Sequence, residues 1–406
     1  MDEKNIRKVP FYKPSLDGSD IESVRSALED GWITTGPRAK KFEAEMAAYT
    51  GAKHALAVNS CTAALHLALA AAGIEKGDKV ITTPYTFAAS VETIIWCGAQ
   101  PVLVDIDPET FNINPSLVAK KIDRRTRGLV SVDIAGLPCE YDALQPLAKK
   151  KKLFFLADAA HSLGASYKGV KVGKLADATA FSFYSTKNLT TGEGGMLVSD
   201  NPKLHERAAV LALHGMSKDA WKRYTSEGSW FYEIVAAGFK YNLSDLQAAL
   251  GLSQLAKFSQ LQERRKHLAG LYDRWLTPYL DMLERPPRNG HSEHAWHMYL
   301  IRLKPKNLRI GRDELLCRLS ARGIGTSVHF IPVHLHPFYR KFLGHKPSDF
   351  PNALATYQRI FTPPFYPAMG DEDVEYVCST IGEILKANYK SNLVPVGTKG
   401  KAAVAG

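Results

Sequence analysis

Short apolar runs alternate with segments of helical length between about residue 54 and residue 200 of the chain. The apolar runs predict strands at His54–Val58, Val80–Thr83, Val102–Asp105, Gly128–Asp133, Leu153–Asp158, Ala178–Phe183 and Gly195–Ser199. Segments such as Thr62–Ala72 and Tyr141–Lys151 lie between them and have the length and periodicity of helices. This alternation is typical of βαβ units, so it predicts an α/β fold with a mainly parallel sheet.

Helical patterns flank this region on both sides. Asp20–Asp30 predicts a helix that leads into the turn Gly31–Pro37. Downstream, Ser244-Asp-Leu-Gln247 matches a capping box, which predicts the start of a helix that continues to about Ala256. We therefore expect residues 1–257 to form one large domain.

The remainder of the chain predicts a smaller α+β domain over residues 258–390. Its expected elements are helices at Glu263–Leu276, Arg312–Arg322 and Glu372–Ala387 and a strand at Met298–Leu303. Residues 330–364 are rich in proline and aromatic side chains with little periodicity, which predicts a long loop of a kind that is often functional. The small and polar residues 391–406 predict a mobile tail.

Length and composition narrow the class of protein. A chain of 406 residues is long enough for two hydrophobic cores. No stretch approaches the ~20 apolar residues that a membrane helix needs, and the charged N-terminus lacks the apolar core of a signal peptide. The five cysteines are widely spaced, without a metal-binding pattern, which favours reduced thiols in a cytoplasm and no metal site.

The net charge of +11 raises the question of nucleic-acid binding. The basic residues are scattered, however, and the run Lys149–Lys152 lies where a predicted helix ends, so it complements the helix dipole. No recognition helix, zinc finger or aromatic RNA-binding signature is present. The charge balance therefore favours a small anionic substrate over nucleic acid.

Asp158 and Lys187 carry the most informative chemistry. Asp158 ends one predicted strand, and Lys187 follows the next strand along the chain. Side chains at the carboxyl ends of neighbouring parallel strands project into the same crevice. Pyridoxal phosphate (PLP) catalysis needs both groups, because a lysine forms a Schiff base with the cofactor aldehyde while a carboxylate keeps the pyridine nitrogen protonated. A buried ion pair, or two unrelated strand ends, would give the same pattern.

A phosphate site should accompany such a pair. Cys61 and Thr62 follow a strand and open an alanine-rich helix, where free N–H groups and the helix dipole favour an anion. An ordinary helix cap explains these residues equally. Ser182, five residues before Lys187, offers a further hydroxyl.

Aromatic and histidine side chains complete the pattern. Tyr85 and Phe87 follow another strand, and either is placed to stack on a cofactor ring or to pack in the core. His161, three residues after Asp158, is placed to hydrogen-bond the cofactor's phenolic oxygen or to stack on the ring.

Six motifs in this order resemble those of the DegT/DnrJ/EryC1/StrS nucleotide-sugar aminotransferases. They are Gly31-Trp-Ile-Thr-Thr-Gly-Pro37, Ser60-Cys-Thr-Ala-Ala-Leu-His66, Pro84-Tyr-Thr-Phe87, Asp158-Ala-Ala-His161, Phe181–Gly195 and Lys240-Tyr-Asn-Leu-Ser-Asp245. The resemblance covers roughly residues 9 to 388. It implies PLP fold type I, similar to aspartate aminotransferase.

The resemblance also implies a role for each matching residue. Lys187 would be the Schiff-base lysine, Asp158 the partner of the pyridine nitrogen and His161 a neighbour of the phenolic oxygen. Phe87 would be the stacking aromatic, while Cys61, Thr62 and Ser182 would bind the phosphate. Asn242 would reach the phosphate of the neighbouring subunit, which implies a homodimer with shared active sites.

The implied reaction is transamination of a nucleotide-linked keto sugar with L-glutamate as amino donor. His294-Ala-Trp-His297 and Gly323–Phe330 look closest to enzymes that aminate C4 of UDP-linked 4-keto sugars, such as UDP-4-amino-4-deoxy-arabinose aminotransferase, with roles in lipopolysaccharide or other polysaccharide biosynthesis. Thr35 and His329 are expected to contact the substrate, although a turn cap and loop packing explain them as well. A PLP-dependent sugar dehydratase, another PLP aminotransferase and a non-catalytic regulator stay open as alternatives.

Overall fold

A computed structural model describes residues 7–217 and 232–390. Its centre is a seven-stranded sheet in the order β1-β9-β8-β5-β4-β2-β3. The first nine strands along the chain are β1 His54–Val58, β2 Lys79–Thr82, β3 Gln100–Leu103, β4 Thr126–Val132, β5 Phe154–Asp158, β6 Ser166–Tyr167, β7 Val170–Lys171, β8 Ala178–Ser182 and β9 Gly195–Ser199. Only β9 runs against its neighbours in the central sheet; it pairs antiparallel with β1 and β8.

The predicted mainly parallel α/β sheet is therefore confirmed. Each of the seven strands predicted between residues 54 and 200 is present, with bounds that differ by at most two residues. These strands are buried along nearly their whole length, as expected where helices cover both faces of a parallel sheet. Residues 183–194, which connect β8 to β9, contain no helix that could carry the chain back over the sheet, and β9 returns antiparallel to β8.

Helices cover the sheet. Those of the first two thirds of the chain are α1 Gly18–Glu29, α2 Pro37–Thr50, α3 Cys61–Ala71, α4 Ala89–Trp96, α5 Pro115–Lys121, α6 Tyr141–Lys151, α7 Pro202–Ala212 and α8 Asp245–Ala256. The capping box predicted at Ser244 is formed: its side chain accepts from the N–H of Gln247, and the Gln247 side chain accepts from the N–H of Ser244. Among the described residues, no helix is both long enough and apolar enough to cross a membrane.

The C-terminal region contains a second, smaller sheet with helices around it. Its elements are α9 Phe258–Leu276, β10 Leu283–Glu284, β11 Ser292–Glu293, β12 Ile301–Leu303, α10 Arg312–Ser320, α11 Pro337–Leu343, α12 Pro351–Arg359, β13 Ile360–Phe361 and α13 Asp371–Ala387. Strands β10, β12 and β13 form the smaller sheet, while β11 pairs with β6. The predicted tail at residues 391–406 lies outside the described residues.

The prediction of a long loop at residues 330–364 was wrong. Two short helices, α11 and α12, lie in it, and each has a proline at its first turn. Proline fits that position because its missing N–H is not needed there and its φ angle is already helical. Proline content in this segment therefore marks helix starts, and each helix is too short to give a clear periodic pattern.

Separate clusters of buried side chains fill the two regions. Residues between Ala39 and Ala295 form apolar clusters on both faces of the large sheet. Another cluster joins Val9 to the C-terminal residues from Leu268 to Leu385. The division of the chain at residues 257 and 258 stays a prediction, although α8 and α9 meet at that point.

Asp245 ties the turn Gly31–Pro37 to the start of α8. Its buried carboxylate accepts hydrogen bonds from the backbone N–H groups of Gly36 at 2.7 Å, Arg38 at 3.0 Å and Ala39 at 2.9 Å. These N–H groups lie at the start of α2, where the helix itself offers no partner. A single carboxylate thus caps one helix while it begins another.

We expect Asp245→Ala to lower the free energy of unfolding by about 3 kcal/mol, because hydrogen bonds to a buried charged acceptor would be lost and their donors left unpaired. Chemical denaturation followed by circular dichroism measures this change. Asp281→Ala removes an exposed carboxylate and is the matched control, with an expected effect within about 0.5 kcal/mol. Equal midpoints for the two variants would contradict the assignment.

Candidate active site

A cavity of about 490 Å³ opens at the carboxyl edge of the parallel strands. The C-terminal region and the N-terminal segment close its other side. The residues that line it are Phe11, Tyr12, Ser60, Cys61, Thr62, Leu65, Thr86, Phe87, Ala89, Val132, Asp158, Ala160, His161, Ser182, Tyr184, Thr186, Lys187, Glu193, Gly194, His297, Met298, His329, Phe330, Thr362, Pro363 and Phe365. Its size suits a small-molecule ligand.

Asp158 and Lys187 both line this cavity. Asp158 is the last residue of β5, and β5 pairs in parallel with β8, so that Asp158 lies beside Ala180. The chain leaves β8 at Ser182 and reaches Lys187 within one turn. The parallel pairing of β5 and β8 therefore brings the acid and the amine to the same edge of the sheet, as the sequence predicted.

Hydrogen bonds fix the carboxylate of Asp158. Ser90 donates its hydroxyl to Oδ2 at 2.7 Å, and the backbone N–H of Ala160 donates to Oδ1 at 3.2 Å. Burial raises the pKa of Asp158, while these donors and the nearby Lys187 act to lower it. These two donors hold the side chain of Asp158 in one orientation, and the Ser90 donor comes from helix α4.

The side-chain amine of Lys187 has no hydrogen-bond or ion-pair partner among residues 7–217 and 232–390. Burial lowers the pKa of its amine to about 8, and the nearby carboxylate of Asp158 opposes the shift. A half-buried lysine without a partner is costly to keep in a fold, since its charged form loses part of its hydration. Such an amine is suited to act as a nucleophile or base near neutral pH.

His161 is fixed in a single tautomer. Its Nδ1 accepts a hydrogen bond from the backbone N–H of Ala135 at 3.3 Å, so its proton resides on Nε2. Burial and the positive charge of Lys187 hold the pKa of His161 well below its usual range. His161 is therefore a neutral hydrogen-bond donor at the wall of the cavity.

The start of α3 provides an anion site. Ser60 caps the helix by accepting from the N–H of Ala63, and the N–H groups of Cys61 and Thr62 lie in the first turn without an intrahelical partner. The thiol of Cys61 is buried and its pKa is raised well above the usual value. Cys61 thus offers its backbone N–H, whereas Thr62 and Ser182 add hydroxyl groups at the same cavity.

Phe87 and Tyr85 occupy different environments. Phe87 lines the cavity and is 64% exposed, so one face of its ring has no protein cover. Tyr85 is fully buried and donates its hydroxyl to the carbonyl of His329 at 2.5 Å. Of the two aromatic residues considered for stacking, Phe87 is thus the one at the cavity.

Thr35, predicted to contact the substrate, and Asn242, predicted to bind the phosphate, do not line the Lys187 cavity. They lie in a second groove, where Asn242 donates to the hydroxyl of Thr35 at 2.5 Å and Thr35 donates to the carbonyl of Leu243 at 2.5 Å. Lys240 donates a hydrogen bond to Asn242 in the same groove. His329, by contrast, lines the cavity, and its Nδ1 lies 2.8 Å from the hydroxyl of Thr362.

Several cavity residues were not predicted from the sequence. Phe11 and Tyr12 come from the N-terminal segment, and His297, Met298 and Phe330 come from the C-terminal region. Their distance along the chain from β5 and β8 gives no local signal of this placement. Ser90, which holds the carboxylate of Asp158, was not predicted either; its one sequence signal is a hydroxyl three residues after the Pro84–Phe87 motif.

The sequence profile of the DegT/DnrJ/EryC1/StrS aminotransferase family matches residues 14–382. The chain is 46% identical to the spore coat polysaccharide biosynthesis protein SpsC of Bacillus subtilis, over 95% of this chain and 99% of SpsC. It therefore belongs to the DegT/DnrJ/EryC1/StrS family.

Solved structures are similar over nearly the whole chain. The PLP-form of the putative sugar aminotransferase Spr1654 from Streptococcus pneumoniae superposes with a TM-score of 0.87 and 32% identity, covering 94% of this chain and 99% of that one. Helicobacter pylori PseC, an aminotransferase of pseudoaminic acid biosynthesis, has a TM-score of 0.86 and 31% identity over 94% of this chain and all of PseC. The fold is PLP fold type I, the activity is that of a sugar aminotransferase, and the cofactor is PLP.

The cavity fits this cofactor on structural grounds. It combines an uncommitted amine, a buried carboxylate and a helix N-terminus with free N–H groups. A Cβ atom at Gly195 would lie 2.5 Å from the backbone nitrogen of Cys61, so only glycine lets β9 pass this close to the start of α3. The cofactor therefore fits the cavity through its charged and N–H groups and through the close approach of β9 to α3 at Gly195.

The lowered pKa of Lys187 predicts an amine that reacts near neutral pH in cofactor-free protein. Below pH 8 the amine is protonated and inert, and above it the neutral form accumulates, so modification should be half-maximal at about pH 8. Mass spectrometry of the labelled peptide measures this rate across pH. N-acetyl-lysine amide is the reference, with a pKa of about 10.4. Identical pH profiles for Lys187 and the reference would overturn the prediction.

Proposed function

We propose that the protein transfers the amino group of L-glutamate to a nucleotide-linked keto sugar, with a UDP-linked 4-keto sugar as the favoured substrate. The observation that carries this proposal is the shared cavity of Asp158 and an uncommitted Lys187. Relatives whose names place them in polysaccharide and pseudoaminic acid biosynthesis support a sugar as the amino acceptor. We infer a role in the synthesis of an amino sugar for lipopolysaccharide or another polysaccharide.

The bound cofactor supplies an aldehyde that carries the amino group and a ring that accepts electrons from carbon. Lys187 would hold this aldehyde through its amine until the amino donor takes its place. The released amine then removes the proton from the α-carbon of glutamate. In the second half of the reaction Lys187 returns a proton to the sugar carbon that carried the ketone.

Asp158 and His161 would hold two different atoms of the cofactor ring. The carboxylate of Asp158 would accept a hydrogen bond from the pyridine nitrogen and keep that nitrogen positively charged. Ser90 and the Ala160 N–H hold this carboxylate in place. His161 would offer its Nε2–H to the phenolic oxygen, and Phe87 would offer its exposed aromatic ring for stacking.

Phosphate recognition in this proposal needs a second subunit. Among the described residues that line the cavity, Lys187 is the single lysine or arginine, although the cofactor and the nucleotide are both anionic. Asn242 and Lys240 lie together in the second groove. We infer a homodimer in which Asn242 reaches the phosphate in the partner's cavity, with Lys240 beside it as a cation.

The substrate contacts follow from the same arrangement. His329 lines the Lys187 cavity, and burial lowers its pKa to about 4, so it meets the sugar as a neutral group. Thr35 hydrogen-bonds Asn242 and would approach the sugar-nucleotide from the second subunit. The five cysteines are all free thiols, in keeping with the cytoplasm as the proposed location.

Lys187→Ala should abolish the release of 2-oxoglutarate from glutamate, a loss of at least about 10³-fold, because the base that moves the proton is removed. Coupled detection of 2-oxoglutarate measures the first half-reaction. NMR of the products from UDP-, GDP- and dTDP-linked 3-keto and 4-keto sugars measures the second. Lys203→Ala changes an exposed lysine and should retain full activity.

The same assays separate the alternative functions. Substantial turnover by Lys187→Ala would refute the role of the lysine. A deoxygenated product without a new amine would favour a PLP-dependent dehydratase. Wild-type protein that binds PLP but turns over free ketones alone would favour another kind of aminotransferase, and protein that ignores PLP would favour a regulator.

A mixture of Lys187→Ala and Asn242→Ala subunits tests whether active sites are shared. If Asn242 serves the partner's cavity, a mixed dimer contains one site with both native residues. Random re-association of equal amounts should then restore about a quarter of the wild-type activity, while each variant alone stays inactive. Activity in the refolded mixture is the measurement. No recovery in a mixture shown to contain mixed dimers would place Asn242 in its own subunit's site.

A further inference from the structure

His297 connects the C-terminal region to the Lys187 segment. Its side chain is buried and lines the cavity. Nδ1 of His297 lies 3.1 Å from Oδ1 of Asn188, the residue that follows Lys187 in the chain. The two segments are separated by about a hundred residues of sequence, so this contact depends on the tertiary fold.

The direction of this hydrogen bond follows from the partners of Asn188. Its Nδ2 donates to the carbonyl of Ala295 at 2.7 Å and to Oε1 of Gln262 at 3.0 Å. A carbonyl can only accept, so the amide nitrogen must face Ala295 and the amide oxygen must face His297. Gln262 also donates to the Ala295 carbonyl, at 3.2 Å, which agrees with this orientation.

His297 is therefore the tautomer that carries its proton on Nδ1. Its Nε2 has no hydrogen-bond partner within the part of the chain that the structure describes. The backbone of His297 is fixed as well: its N–H donates to the carbonyl of Ala135 at 3.1 Å, and its carbonyl accepts from the buried Arg265 at 3.2 Å. Both the ring and the chain beneath it are thus held in place.

The ring of His297 also contacts the ring of His161. The two imidazoles stack at a centroid distance of 4.5 Å with an interplanar angle of 27°, and Phe330 stacks on His161 at 5.7 Å and 10°. His161 has one further constraint, the hydrogen bond from the Ala135 N–H. Because Ala135 bonds to both histidines, the pair is fixed by a shared backbone segment.

We propose that His297 is a positioning residue that holds Lys187 through Asn188 and His161 through ring stacking, so that one side chain sets the placement of two groups at the cofactor. The proposal rests on the role of Lys187 and His161 in the proposed function. The hydrogen bond acts on the segment that carries the lysine, and the stack acts on the imidazole. Two variants of His297 can remove these contacts one at a time.

His297→Phe keeps an aromatic ring for the stack and removes the hydrogen bond to Asn188. His297→Asn keeps an amide donor close to the position of Nδ1 and removes the ring. His294→Gln is the matched control, because His294 is a histidine in the same segment that stacks on Trp296 at 4.0 Å and does not line the cavity.

The measurement is made on purified holoenzyme. We expect His297→Phe to shift the pH midpoint of the absorbance of the lysine-bound cofactor by at least about half a pH unit and to raise the dissociation constant for PLP about tenfold. His297→Asn should leave that midpoint close to wild type and weaken PLP binding. The rate of labelling of Lys187 in cofactor-free protein gives a second readout that needs no turnover.

The control decides between positioning and general packing. His294→Gln should change neither the pH midpoint nor the labelling rate of Lys187. Shifts of equal size in His294→Gln and His297→Phe, or no shift in both His297 variants, would overturn the proposal. If His297→Phe fails to fold, the proposal is tested with His297→Asn alone. A wild-type pH midpoint together with weaker PLP binding in His297→Asn supports the proposal. A shift of that midpoint by about half a pH unit or more contradicts it.

This outcome is distinct from failure of the proposed function. That function fails when Lys187→Ala still attaches PLP covalently or releases 2-oxoglutarate. The positioning role fails when Lys187 proves essential but the His297 variants behave as His294→Gln does. Failure of the proposed function is therefore read from Lys187→Ala, and failure of the positioning role is read from the His297 variants.

Discussion

The rest of the site depends on the burial of an unpaired amine at the edge of a parallel sheet. Lys187 is half-buried at the wall of the cavity and no anion contacts its amine directly among the described residues, so desolvation lowers its pKa to about 8. Burial raises the pKa of the nearby Asp158 for the same reason. The negative charge of Asp158 favours the protonated amine of Lys187, and the positive charge of Lys187 favours the ionised carboxyl of Asp158. They do so without a direct ion pair, which would block the amine.

Burial and the charge of Lys187 together determine the state of the histidines around this amine. Burial and the positive charge of Lys187 lower the pKa values of His161, His297 and His329, so their imidazoles are neutral. Neutral imidazole can donate at one nitrogen and accept at the other. The cavity therefore gains directed hydrogen bonds without additional positive charge. Additional positive charge near Lys187 would lower the pKa of its amine still further.

The parts of this fold that the sequence predicts correctly have local signals. The buried strands, the capping box at Ser244, the position of Asp158 at the end of β5 and that of Lys187 shortly after β8 all follow from residues close together in the chain. The long loop predicted at 330–364 failed because short helices with proline at the first turn show little periodicity. Phe11 and Tyr12 had no local signal, because tertiary packing alone brings them to the cavity.

The two sides of the cavity are built by different means, and this separates reaction from substrate choice. The sheet edge and the start of α3 supply the groups that any PLP transaminase needs. The opposite side comes from the C-terminal region and the N-terminal segment: Val9 bonds to Gly323 and Gly325 at 2.9 Å each, and Phe11 stacks on His329 at 5.8 Å. Family membership therefore shows the class of reaction. In the proposed function, side chains of this opposite side such as Phe11 and His329 would select the sugar, because they lie on a terminal segment and a loop rather than on the sheet edge.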